Sequence, residues 1–249
     1  MSKIIAIHSF RGGTGKSNLT ANLAVTMALQ NKRVAIVDTD LQSPGIHALF
    51  AIDEKITGKT LNDYLWHRSS IADTACDVTS HLAIAQGKVF LIPSSINADE
   101  IAKIISEGYN VSLLNSGLQR LIKELELDYL FIDTHPGLSR ETLLSIAISD
   151  LLIVIIRPDR QDFQGTAVTV NIALQLQVSK MMMLVNKVPS RIDFSSLQQK
   201  VERTYNVPVA GMFPLSEDMA QLGSSGIFCL QYPEHPLTQM LQQVTEKAS

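Results

Sequence analysis

Short apolar runs alternate along this chain with segments whose apolar positions recur at helical spacing. Residues 4–7, 33–37, 89–92, 129–133, 151–156, 180–185 and 207–212 are rich in Val, Ile, Leu and Met and lack the polar alternation of a half-exposed strand. Such runs predict strands buried on both faces. Leu19, Leu23 and Met27, with neighbouring alanines, predict a helix from Ser17 to about Gln30, stopped at Asn31. Asn97 and Asp99 can cap a helix to about Ser106, and further helices are expected over about 112–126, 162–176 and 194–205. From Asp53 to Ser95 the signal is poorer, with one short helix expected around 61–66. Leu41 to Gly45, containing Ser43-Pro44-Gly45, reads as a loop. The alternation predicts an α/β fold: a doubly wound, mostly parallel twisted sheet with helices on both faces. No repeat, low-complexity tract or linker is found, so a single domain over residues 1–249 is expected.

The first strand and the first helix enclose Ser-Phe-Arg-Gly-Gly-Thr-Gly-Lys-Ser, residues 9–17. Strand, glycine-rich turn and helix is the setting of a phosphate-binding loop. Glycines let backbone N–H groups approach a polyphosphate, and the helix start adds unsatisfied donors and a positive dipole end. Lys16 would place a point charge on the β- and γ-phosphates, and Ser17 a hydroxyl on Mg²⁺. One position departs from the general pattern, which puts a glycine where this chain has Phe10.

Two acidic strand ends fall where such a sheet binds ligands, beyond its carboxyl edge. Tyr129–Asp133 delivers Asp133 in the form of a Walker B element, a metal-holding carboxylate or else a strand-end cap. Asp38 and Asp40, two apart, point the same way if the strand continues. One of them can orient the loop or the metal's waters and the other an attacking water, with Asp40 the expected catalytic group; the blander reading has one capping the turn. Asn186 ends a later strand and either reads a base edge with its amide or makes a plain turn.

Composition adds mainly exclusions. The 249 residues are 45% hydrophobic and 18% charged, enough for one large core. A formal charge of −3 gives no global pull toward nucleic acid or membrane. Cys76 and Cys229 lie far apart and read as buried thiols of a reducing compartment. With no signal segment ahead of the first strand and no apolar run of spanning length, a soluble cytoplasmic protein is expected. His8 reads as a core histidine, His135 as a loop residue and no metal ligand, and Met181-Met182-Met183 as core packing. Lys187, Arg191, Lys200 and Arg203, interrupted by Asp193 and Glu202, read as a solvated face rather than a DNA groove.

Taken together, these motifs resemble the MinD/ParA family of deviant Walker A ATPases over nearly the whole chain. The matching pieces are Arg11 to Ser17, Asp38-Thr39-Asp40, Pro93-Ser94-Ser95, Asp133-Thr134-His135-Pro136-Gly137 and Asn186-Lys187. Arg157-Pro158-Asp159 with Gly165-Thr166 resembles a MinD-like branch. The resemblance implies ATP and Mg²⁺ (magnesium) as cofactors. It implies Arg11, Gly12, Gly13, Thr14, Gly15, Lys16, Ser17, Asn18, Asn186 and Pro214 as nucleotide contacts, and Ser17, Asp38 and Asp133 around the metal. It also implies an ATP-dependent sandwich homodimer undone by slow, partner-stimulated hydrolysis, with Lys16, Asp40 and Arg11 as the catalytic set. Arg11 stands where the family has a lysine reaching across to the other subunit's phosphates, and an arginine there is not a neutral exchange. His135 stands where proline is frequent. Family members position division sites, plasmids, chromosomes or other cargo on a membrane or nucleoid surface; the activator or cargo protein is not named by the sequence. Cysteines at a dimer face, a Cys-x-x-Cys with a methionine-rich insertion, and a terminal tyrosine cluster mark related families and are absent. A nucleotide-dependent regulatory binding protein with little hydrolysis is the alternative.

MinD proteins often end in a basic amphipathic helix that enters the bilayer. Here Leu237, Met240, Leu241 and Val244 predict an amphipathic helix after His235-Pro236, but its polar side is mostly Gln and Thr with Glu246 and Lys247. It is therefore expected to pack on the domain, with weak or no direct membrane binding.

Overall fold

Successive side chains of the first strand, β1 (Lys3–His8), enter different cores. Ile5 and Ile7 join one cluster, and Ile4 and Ala6 join clusters on the opposite face of the sheet. With a period of two and both faces covered, no polar alternation is needed, which is why these runs are continuously apolar. The structure, a computed structural model, describes residues 2–52 and 58–249. The first residues of the poorly patterned stretch, 53–57, lie outside the described residues.

The remaining strands are β2 (Arg33–Asp38), β3 (Cys76–Asp77), β4 (Lys88–Ile92), β5 (Tyr129–Asp133), β6 (Leu151–Ile156), β7 (Met181–Val188) and β8 (Val209–Pro214). Among the described residues they form one sheet in the order β3-β4-β2-β5-β1-β6-β7-β8. Every neighbouring pair is parallel except β3 with β4. This is the doubly wound, mostly parallel arrangement the pattern predicts.

One face carries the helices Lys16–Leu29 and Pro236–Ala248, whose Leu19, Leu23, Met27, Leu237, Leu241 and Val244 meet Ile5, Ile36, Phe131 and Leu184. The other face has two clusters. Leu61, Leu118 and Leu121 pack on Val37, Leu130 and Ile132, while Ile146, Val170 and Val201 pack on Ala6, Val154 and Met183. Met182 and Met183 fill opposite cores, as packing residues rather than ligands. Each fully buried Leu or Val contributes about 1.5–3 kcal/mol. The C-terminal helix is therefore held inward by several such side chains.

Several elements escape the pattern. Helices Ile46–Leu49 and Phe228–Gln231 are single turns, too short to show a period. Arg140–Ala147 starts from a Ser139 side chain accepting the Thr142 N–H, and of its buried residues only Ile146 is strongly apolar, so polarity hides it. Glu217–Leu222 has no buried residue at all. Asn97 is the cap of Ala98–Glu107, accepting from the N–H groups of Asp99 and Glu100, so Asp99 lies in the first turn. Cys229 is buried as expected, but Cys76 on the two-residue edge strand β3 is only partly covered.

At the other edge, β8 would present unpaired backbone groups. Its Val209 N–H instead donates to Glu202 Oε1 at 3.0 Å, and Lys247 Nζ donates to its Ala210 carbonyl at 2.8 Å. No helix among the described residues is long and apolar enough to cross a membrane.

Candidate functional site

The loop after β1 and the carboxyl ends of β2, β5 and β7 converge, because β5 pairs with both β1 and β2. Gly13 and Gly15 take positive φ values of 76° and 92°. A Cβ on Gly15 would lie 2.5 Å from Asn186 Nδ2, so this turn needs glycine twice over, for its backbone angle and for the approach of Asn186. Phe10, at the departed position, lays its ring against Gly165, where an added Cβ would meet Phe10 Cδ1 at 1.9 Å. The bulky residue thus anchors the loop on the helix Arg160–Gln175.

The loop is also tied from β7. Asn186 Nδ2 donates to the Thr14 carbonyl at 2.8 Å, and Lys187 Nζ to the Gly13 carbonyl at 2.9 Å. The Asn186 side-chain oxygen accepts the Lys187 N–H at 2.9 Å. One amide hydrogen and one lone pair of Asn186 remain for a ligand. The Thr14 hydroxyl is buried with no protein partner.

Beneath the loop, Lys16 Nζ donates to Asp133 Oδ1 at 2.8 Å, with both side chains almost wholly buried. The Thr20 hydroxyl reaches the same carboxylate oxygen at 3.2 Å. Asp38 is the register partner of Asp133 on β2. Burial, with the neighbouring Asp133 charge, pushes the Asp38 carboxyl up to about 7, against the pull of Lys16 and the Asp40 N–H. Asp38 Oδ1 accepts the Asp40 N–H at 3.0 Å and Oδ2 the Gly45 N–H at 3.2 Å. The Ser94 hydroxyl donates to the Asp38 carbonyl at 2.7 Å, which brings the Pro93-Ser94-Ser95 segment against the site. Asp40 Oδ1 accepts the Ser43 N–H at 3.1 Å and lies 2.6 Å from His135 Nδ1.

Two adjoining cavities open here. One of about 240 Å³ is lined by the loop from Gly12 to Asn18, with Asp40 and Pro136. The other, about 470 Å³, is lined by Asn186, Lys187, Pro214, Leu215 and Met219, and shares Gly15, Ser17 and Asn18 with the first. A glycine-rich cavity with backbone donors suits a polyphosphate, and the more apolar one suits a planar base. Arg11 is the site residue not brought in: its guanidinium faces Asp159 and Asp162 of its own chain, each at 3.8 Å, with 40% of the side chain exposed.

The donor set fits a hard divalent cation. Asp38 and Asp133 are buried side by side with Lys16 as the cation paired to Asp133, and Ser17 supplies a hydroxyl at the helix start. Among the described residues no three His, Cys, Asp or Glu side chains gather as a metal cluster. Such an ion would therefore take its other ligands from phosphate oxygens and water, as Mg²⁺ commonly does.

His8 lies under the loop with its Nδ1 2.9 Å from the Thr134 hydroxyl, which itself donates to the Ile7 carbonyl. It is buried as the sequence suggests, though its Nε2 has no partner. Burial, then the charges of Lys16 and His135, lower its pKa from 6.5 to about 3. Below pH 6.5 the unfolded chain gains a proton that the folded protein refuses, so stability falls with pH; above 6.5 nothing is lost. Chemical unfolding of the parent and His8→Met between pH 8 and 4 is expected to show the parent losing relative stability only below 6.5, by at most about 1.4 kcal/mol per pH unit. A pH-independent difference would contradict a neutral buried His8.

The profile of a family described as "AAA domain" matches residues 2–184. An uncharacterised ATP-binding protein of Methanocaldococcus jannaschii is 27% identical over 252 aligned positions, covering 99% of this chain and 88% of its own. The septum site-determining protein MinD of Neisseria meningitidis is 20% identical, covering 91% of this chain and 83% of its own. Among solved structures, the septum site-determining protein MinD of Pyrococcus horikoshii, complexed with Mg-ADP, is 20% identical. It superposes with a TM-score of 0.81, covering 100% of this chain and 96% of its own.

Proposed function

The chain belongs to the MinD/ParA family of P-loop ATPases, and from that premise we propose that it binds Mg-ATP, dimerises around it and hydrolyses it to switch a positioning or partitioning system. The observation that carries this reading is the meeting of the two cavities at Gly15, Ser17 and Asn18, over the buried Lys16–Asp133 pair. The loop N–H groups and Lys16 would hold the phosphates, Asn186 and Pro214 would border the base, and Ser17, Asp38 and Asp133 would hold Mg²⁺. When bound, the ion would neutralise charge on phosphate oxygens. Asp40, facing the loop cavity, would position the water that attacks the γ-phosphate, with ADP as the leaving group.

Self-association supplies the switch in this reading. Arg11 would leave Asp159 and Asp162 and reach the nucleotide of a second protomer, its fork bridging two phosphate oxygens. Light scattering coupled to gel filtration is expected to show a dimer in Mg-ATP and a monomer in ADP, with slow phosphate release raised by a partner protein. A parent that binds ATP yet neither dimerises nor releases phosphate would favour the regulatory binding protein. The inward-packed C-terminal helix gives a further expectation. Anionic vesicles with ATP should leave the protein in the supernatant; ATP-dependent co-sedimentation lost on deletion of residues 236–249 would overturn it.

A further inference from the structure

Asp40 faces the loop cavity without a cation to fix its carboxylate, yet it is not without restraint. Its backbone N–H is held by Asp38, and one carboxylate oxygen, Oδ1, takes both the Ser43 N–H and the imidazole of His135. The 2.6 Å separation is that of a strong, charge-assisted contact. A carboxylate is acceptor only, so Nδ1 carries the hydrogen, a role the neutral imidazole fills as well as the cation. His135 is itself fixed: the Thr142 hydroxyl donates to its carbonyl at 3.2 Å, from the first turn of the helix Arg140–Ala147. Among the described residues the second carboxylate oxygen of Asp40 has no hydrogen-bond partner, and the residue lines the loop cavity.

We propose that His135 is a positioning residue for hydrolysis, holding the Asp40 carboxylate so that its remaining oxygen faces the water at the γ-phosphate. The inference rests on the reading of Asp40 as the water-positioning group. His135 itself does not line the loop cavity, so it acts through Asp40 and not on substrate. The contact follows from strand register: Asp38 and Asp133 are partners, and Asp40 and His135 each lie two residues beyond. Displacement of a water-orienting group by about 1 Å costs on the order of a hundredfold in rate, whereas ATP affinity, set by the loop and Lys16, would be untouched.

Two measurements test this. In the nucleotide-free protein, NMR of the histidine side chains should show a downfield Nδ1–H resonance for His135 that disappears in Asp40→Ala; its absence in the parent overturns the proposal. In turnover assays His135→Leu should lower kcat about tenfold or more, with KM unchanged. His135→Asn, whose amide N–H can replace Nδ1–H, should recover most of the rate. On an Asp40→Ala background, His135→Leu should have no further effect. If Asp40→Ala is slow but His135→Leu matches the parent, the positioning role is wrong and the ATPase reading stands. Should Asp40→Ala turn over like the parent, the Asp40 assignment falls and this inference with it.

Discussion

Lys16→Ala is expected to abolish turnover and to weaken ATP binding by tenfold or more. Hydrogen bonds to charged groups contribute about 1.5–3 kcal/mol, and about 1.4 kcal/mol is one factor of ten. Two effects act together here. The ammonium that would sit on the phosphates is lost, and so is the partner of a carboxylate buried to 1% exposure. Removing one member of a buried pair typically costs about 3–5 kcal/mol. Asp133 would remain beside Asp38, whose carboxyl burial already pushes toward neutrality. The variant should therefore also unfold at a lower temperature. Calorimetric titration with Mg-ATP and a phosphate-release assay check the first effect, and thermal unfolding the second. Equal affinity and equal turnover would remove the loop from the proposed function.

The second large effect separates Arg11 from Asp40. Asp40→Ala should bind ATP, dimerise and stay dimeric, because dissociation waits on hydrolysis. Arg11→Ala should bind ATP through Lys16 yet remain largely monomeric. A ligand shifts an equilibrium only through contacts made in one state and not the other. In the monomer Arg11 faces Asp159 and Asp162 at 3.8 Å and is not among the residues lining the loop cavity. Its contact with phosphate would thus arise only on dimerisation, which is the differential the switch requires. Light scattering in ATP and then ADP distinguishes the variants. Arg11→Ala dimerising as readily as the parent would assign the cross-subunit contact elsewhere.

The strands were legible because burial on both faces writes itself as uninterrupted apolar sequence, as in Leu151–Ile156. The loop was legible because Gly13 and Gly15 take angles other residues avoid. Elements held by polar contacts were not. Arg140–Ala147 is anchored by Ser139 and Thr142, and a single turn such as Ile46–Leu49 carries no period. In the site, the sequence already pointed to Asp38, Asp40 and Asp133 beside the loop, whereas the Asp40–His135 contact was not legible. His135 is the loop residue the sequence suggests, and from that loop it also reaches Asp40. The register of β2 on β5 was the signal that would have joined them, and a sequence does not state which strands are neighbours. Asn186 had two open readings; its ties to Thr14 and Lys187 explain why a strand end there matters to the loop before any base is present.

The helix side chains Glu202 and Lys247, bonded to the backbone of the edge strand β8, bear on how the protein can be concentrated safely. An exposed edge strand is a template for pairing with further copies, the more so at high concentration. Here two of its backbone groups are taken within the chain, the Val209 N–H by a carboxylate and the Ala210 carbonyl by an ammonium. Crowding is thereby expected to find less purchase at this end of the edge, with fibre growth along the sheet disfavoured.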